Sequence, residues 1–185
     1  DGELAMAMIH GLLEESLFDS EYAGRWTNAK FLLRSDNNQL LTEADLAAQG
    51  KSNGWMIWNE RSNSPVSYQP NQSETAPALF GTFALRLANS TTLECQPALQ
   101  LLKDAAARFA PEVSESITTV PAEEVRKAVR LFANEKPSTY CTWVGLEQDN
   151  DDTSGGSRPL YSFSGLFNLA NDTPIFESIN ADPRT

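Results

Sequence analysis

The stretch that decides the fold is VPAEEVRKAVRLFANEKPSTYCTWVG, residues 120–145. Val125, Ala128, Val129 and Phe132 fall at i, i+3, i+4 and i+7, which is one face of an α-helix. Glu123 and Glu124 occupy its first turn, where the helix dipole favours acid, and Pro137 stops it. Residues 139–145 then read as a buried strand of β-branched and aromatic side chains ending on a glycine. A polar loop over 148–157 and an apolar helix through Tyr161, Phe163, Leu166, Phe167 and Leu169 follow. Helix, buried strand, loop and helix in that order predict an open α/β layer, Rossmann-like, with helices on a mostly parallel sheet. In such sheets ligands bind where loops leave the carboxyl ends of the strands, which directs attention to residues 144–158.

Upstream, Ala5, Met8, Ile9, Leu12 and Leu13 recur at helical spacing to about Ser16, with Asp1 placed to cap the first turn. A short second helix restarts over 17–22 with Asp19 or Ser20 as its cap and Trp26 as an anchor. Phe31-Leu32-Leu33-Arg34 reads as a strand or a packed extended piece. Leu99, Leu102, Ala106 and Phe109 form a further helical stripe, with Pro97 suited to the first helical position. Between these segments the texture changes to Asn, Ser, Gln, Gly and Pro. The apolar bursts there, Trp55-Met56-Ile57-Trp58 and Phe80 to Leu85, are joined by turns expected at Asn53-Gly54, Ser64-Pro65 and Gln69-Pro70-Asn71. The reading is one α/β domain over 1–185 with an irregular insertion at about 35–92, ordered because its aromatic content is too high for a linker.

The formal charge of −11 excludes a nucleic-acid binder, because neutralising phosphates needs clustered Lys and Arg and no such stripe exists. No apolar run reaches the roughly 18 to 20 residues that span a bilayer. A soluble, non-inserted chain is expected, cytoplasmic or periplasmic. It opens at Asp1 directly into a helix, which suggests a fragment. Cys95 and Cys141 are far apart with no second ligand at metal spacing, and the apolar flank of Cys141 favours a buried free thiol. His10, the sole histidine, has no Ser or Cys partner that would make it a base. The acidic loop at 149–152 lacks the later ligands of a calcium loop, and Ser154-Gly155-Gly156-Ser157-Arg158 lacks a P-loop lysine.

Five stretches, in order, are familiar. Asp1 to His10, with the following Leu17-Phe18-Asp19, resembles the "TDGALALAMIHVLIEEGLYD" of the molybdopterin oxidoreductases of dimethyl sulfoxide reductase type. Trp26 to Arg34 resembles the "WTNGPFLVR" of that family's acetylene hydratase and thiosulfate reductase-like branch. Trp55 to Tyr68 with Pro77-Ala78-Leu79-Phe80-Gly81 is similar to "VWDEATGRPVPY…PALFG". Val120 to Ala128 looks like "VPAEDIRRAA", and Trp143 to Gln148 like "WGVGIEQ".

The resemblance implies a segment of a large subunit that helps to hold a molybdopterin guanine dinucleotide shared between two α/β domains. Asp1 matches the family's acid in the guanine-contacting loop, where a carboxylate accepts from the neighbouring N1–H and N2–H donors of guanine. Val144 and Gln148 match cofactor-lining positions, with Gly145 allowing close backbone approach. The partner implied is the remainder of the molybdoenzyme large subunit. Departures are as plain: Asp149 stands where the family often has His, and the glycine-rich exit after Leu169 is replaced by Ala170-Asn171-Asp172-Thr173-Pro174. The family's iron–sulfur cysteines and molybdenum ligand have no counterpart, so the isolated chain is expected to be catalytically inert. The alternative is a stand-alone, cofactor-free α/β module derived from such an enzyme, serving an unknown protein partner.

Overall fold

The structure, a computed structural model, describes residues 2–52, 54–69 and 76–135. In chain order the elements are α1 (Gly2–Glu14), α2 (Ser20–Trp26), β1 (Leu32–Arg34), α3 (Glu43–Leu46), β2 (Met56–Asn59) and β3 (Ser64–Ser67). They continue with β4 (Phe83–Arg86), β5 (Thr92–Pro97), α4 (Ala98–Ala106), α5 (Pro111–Thr118) and α6 (Ala122–Asn134). The chain divides into two compact units: Asp1–Tyr22 with Leu102–Thr185, and Ala23–Leu101.

In the first unit α1 packs on both α5 and α6. Its buried face, Ala5, Met6, Ala7, Ile9, Leu12 and Leu13, keeps four of the five residues of the predicted stripe, with Met6 and Ala7 buried where Met8 was expected. α6 adds Ala122, Val125 and Val129, while Ala128, also expected inside, is exposed. Gly11 sets how near the two helices come: a Cβ there would lie 3.3 Å from Val129 Cγ2. α1 stops short of the expected Ser16, which turns left-handed at φ 54°, and Leu17 N–H then donates to the Leu12 carbonyl at 2.9 Å. Asp19 caps α2 as expected, its carboxylate accepting from Tyr22 N–H at 2.8 Å. α5 has no counterpart among the helices that the apolar spacing predicts. It ends at Thr119, at φ 63° in the left-handed region that helix ends favour, and Thr119 N–H donates to the Glu115 carbonyl at 2.9 Å.

The second unit is built on two small antiparallel sheets, β1-β5-β4 and the hairpin β2-β3. Leu32 sits opposite Pro97, Phe83 opposite Cys95, and Ile57 opposite Val66. Bridges Phe31↔Ile57 and Thr42↔Trp55 tie the hairpin to the chain that enters and leaves β1. Leu32, Leu41, Met56, Leu85, Leu87 and Cys95 form the core between them, with Trp58 and Phe83 stacked at 4.1 Å on its margin. Two expectations shift here. Ser64-Pro65 is not a turn but the start of β3, because in a two-stranded hairpin Pro65 can turn its donorless nitrogen outward. Pro97 does not open a helix; it ends β5, and α4 begins one residue later.

Both described sheets are antiparallel. The parallel layout expected from the sequence rests on the strand at 139–145, which lies outside the described residues together with the loop and helix after it. Among the described residues no helix is long and apolar enough to cross a membrane.

Candidate functional site

The four residues singled out as cofactor contacts, Asp1, Val144, Gly145 and Gln148, lie outside the described residues. Asp1 directly precedes Gly2, the first residue of α1, and a Cβ built at Gly2 would meet nothing within 4 Å among the described atoms. Glu3 stands in the first turn of α1.

In the second unit the polar chemistry gathers at Lys30 and at Arg34. Lys30 is only 1% exposed. The turn that carries it, Asn28–Lys30, is capped by Thr27, whose hydroxyl accepts from Ala29 N–H at 3.1 Å and donates to the Ala23 carbonyl at 2.7 Å. Lys30 Nζ donates to the carbonyls of Thr27 at 2.9 Å and Arg25 at 3.3 Å. It also stands 4.6 Å from the Tyr68 ring centroid and 5.1 Å from that of Phe31. Phe31 is in turn held edge-on by Trp55 and Tyr68, each at 5.2 Å. Among the described residues no carboxylate pairs with this amine, and burial pushes it down to about 8.

Arg34 is the opposite case, a cation met by acids. It donates to Asp36 at 2.7 and 3.0 Å and to Asp45. The Asp45 carboxylate also accepts from the Thr42 N–H at 2.8 Å and hydroxyl at 2.7 Å, which ties the start of α3 to the end of β1. Beside it, burial raises the Cys95 thiol to about 11, so this cysteine is an inert core residue and not a nucleophile.

In the first unit His10 Nδ1 lies 3.2 Å from the Ala106 carbonyl, an acceptor only, so Nδ1 is the donating nitrogen. Arg130 grips Glu15 with two bonds of 2.8 and 2.9 Å, and Arg126 pairs with Glu112. Among the described residues no three His, Cys, Asp or Glu side chains gather as a metal site would need. The described residues thus offer structural pairs and one buried amine. Sequence reasoning does not find the Lys30 chamber; the one local hint is a lysine set directly before the apolar run at 31–33.

No family model matches the chain. Among curated proteins it is 30% identical over 176 residues to the alpha chain of the perchlorate reductase of Dechloromonas aromatica, a match that takes in 80% of this chain and 19% of that protein. It is 28% identical over 155 residues to the alpha chain of the dimethylsulfide dehydrogenase of Rhodovulum sulfidophilum, covering 79% of the chain and 16% of the relative. A third match, 25% identical over 192 residues, is to a sulfite dehydrogenase subunit of Allochromatium vinosum, with 98% and 19% covered. The chain belongs to the molybdopterin oxidoreductases of dimethyl sulfoxide reductase type. It spans less than a fifth of the length of these relatives. This molybdopterin oxidoreductase segment therefore aligns with one part of those longer chains.

Proposed function

We propose that this chain is the segment of a molybdenum-dependent oxidoreductase that holds the guanine end of a molybdopterin guanine dinucleotide, on an open Rossmann-like layer completed by residues 136–185. The observation that carries this reading is the likeness to the alpha chain of a perchlorate reductase over 80% of the chain, together with the ordered motifs that start at Asp1 and end at Gln148.

The donor set suits the ligand. Asp1 presents a carboxylate to the paired N–H donors of guanine, a two-bond match that adenine cannot offer. Gln148 supplies a donor and an acceptor from one amide, and Gly145 lets the backbone come close. With the chain at −11, phosphates would be met by backbone N–H groups and not by a positive field. In the parent enzyme the bound group supplies electron or oxygen-atom transfer; this chain binds and orients it. The rest of the catalytic subunit is the partner.

Titration of the purified chain with GDP by calorimetry tests the reading. Binding in the micromolar range that weakens at least tenfold in both Asp1→Ala and Gln148→Ala supports it. Absence of binding favours the cofactor-free module, a reading to which the acidic loop Asp149, Asp151, Asp152 already lends weight by repelling a phosphate ligand.

A further inference from the structure

A lysine buried without an acid among the described residues is the least expected group they contain. Lysines reach 1% exposure rarely, and then usually against a carboxylate. Lys30 has instead two carbonyls, Thr27 and Arg25, and two ring faces, Tyr68 and Phe31. These hold an ammonium in place, but they carry only partial charge and do not replace its water. We propose that Lys30 makes the corner formed by residues 25–31 and Tyr68 a pH-governed gate: the corner opens readily to hand a protonated Lys30 to solvent, and closes tightly when that amine is neutral.

Among the described residues, the groups that face the amine support a single titrating site. From its own segment come the Arg25 and Thr27 carbonyls, while the Arg25 guanidinium lies over Trp26 at 5.1 Å from the ring centroid. From the β3 side comes the phenol ring of Tyr68, and behind Phe31 stands the neutral Trp55. Burial is the one influence that lowers the Lys30 amine, from 10.5 to about 8. The sign follows from proton counting. Between these two values the open form binds more protons than the closed form, so closure strengthens as pH rises.

Hydrogen exchange on the full chain, followed by mass spectrometry in peptides covering 25–33 and corrected for the intrinsic exchange rate, reads the gate directly. Between pH 7 and pH 9 the opening constant falls about tenfold. In Lys30→Met it is unchanged over the same range, and peptides from β4 are flat in both proteins. Equal protection at pH 7 and pH 9 in the unaltered chain, or the same gain of protection in Lys30→Met, overturns the proposal. Should Lys30→Met fail to fold, the 13Cε resonance of Lys30 in the unaltered chain decides: a midpoint near 8 upholds the gate and one near 10.5 removes it.

Discussion

Asp45 accepts three hydrogen bonds, two from Thr42 and one from Arg34, and each joins residues that the chain alone would leave free. Burial by itself would raise its carboxyl, but the Thr42 N–H and hydroxyl and the Arg34 guanidinium outweigh that and hold it below the ordinary carboxylate value. A carboxyl depressed in the folded state contributes stability that is present above its unfolded value and is lost as pH falls through the folded one. Both side chains of the Arg34–Asp45 pair are about a fifth exposed, so solvent screens it only partly. Asp45→Ala is expected to cost about 2 kcal/mol at pH 7, and the gap should narrow below about pH 4, as urea midpoints at the two pH values will reveal. Lys30 was illegible at this scale for a physical reason. A lysine in sequence is solvated by default, and the rings that bury it come from Phe31 beside it and Tyr68 in a distant part of the chain.

At the scale of elements, the contact of α1 with α6 turns on Gly11 and Val129. An alanine at 11 would gain roughly 1 kcal/mol of helix propensity. Its Cβ, however, would press on both Val129 methyls at 3.3 and 3.4 Å, and Val129 is fully buried and stiff at χ1. Gly11→Ala is therefore expected to destabilise by about 1 kcal/mol, whereas in a Val129→Ala background the same change stabilises. A double-mutant cycle by chemical denaturation measures the coupling, and additive effects would remove this account of the helix contact.

The elements the sequence revealed are those with a one-sided apolar stripe: α1, and α6 above all. α5 escaped because its apolar residues point the wrong way. Val113 is 45% and Ile117 58% exposed, while the inner positions are Pro111 and Ser114, so no stripe marks the helix. β5 does alternate, with Cys95 and Pro97 buried and Glu94 exposed, but a proline before a helical run reads more readily as a helix start than as the end of a strand. The candidate cofactor residues were legible only through likeness of motif, since an acid before a helix and an amide after a strand carry no periodic signal of their own.

Charge belongs to the whole molecule. At −11, with an isoelectric point near 4.5, the folded chain carries uncompensated repulsion at neutral pH. Raising salt from about 0.01 to 0.3 M shortens the screening length several-fold and is expected to raise the melting temperature by a few degrees, while the chain flows through a heparin column unretained. A melting temperature that falls with salt would mean that attractive pairs such as Arg130–Glu15 outweigh the repulsion.

The connectivity of the two units bears on how the protein is made. α1 belongs with α5 and α6, yet the entire Ala23–Leu101 unit lies between them in sequence. A ribosome therefore delivers Met6, Ile9, Leu12 and Leu13 long before Val125 and Val129 exist to cover them. The continuous middle unit is able to collapse while it emerges, but α1 must wait for α5 and α6, the helices it packs on. During that interval α1 lacks its partners, and a holdase that shields its apolar face would serve until they arrive.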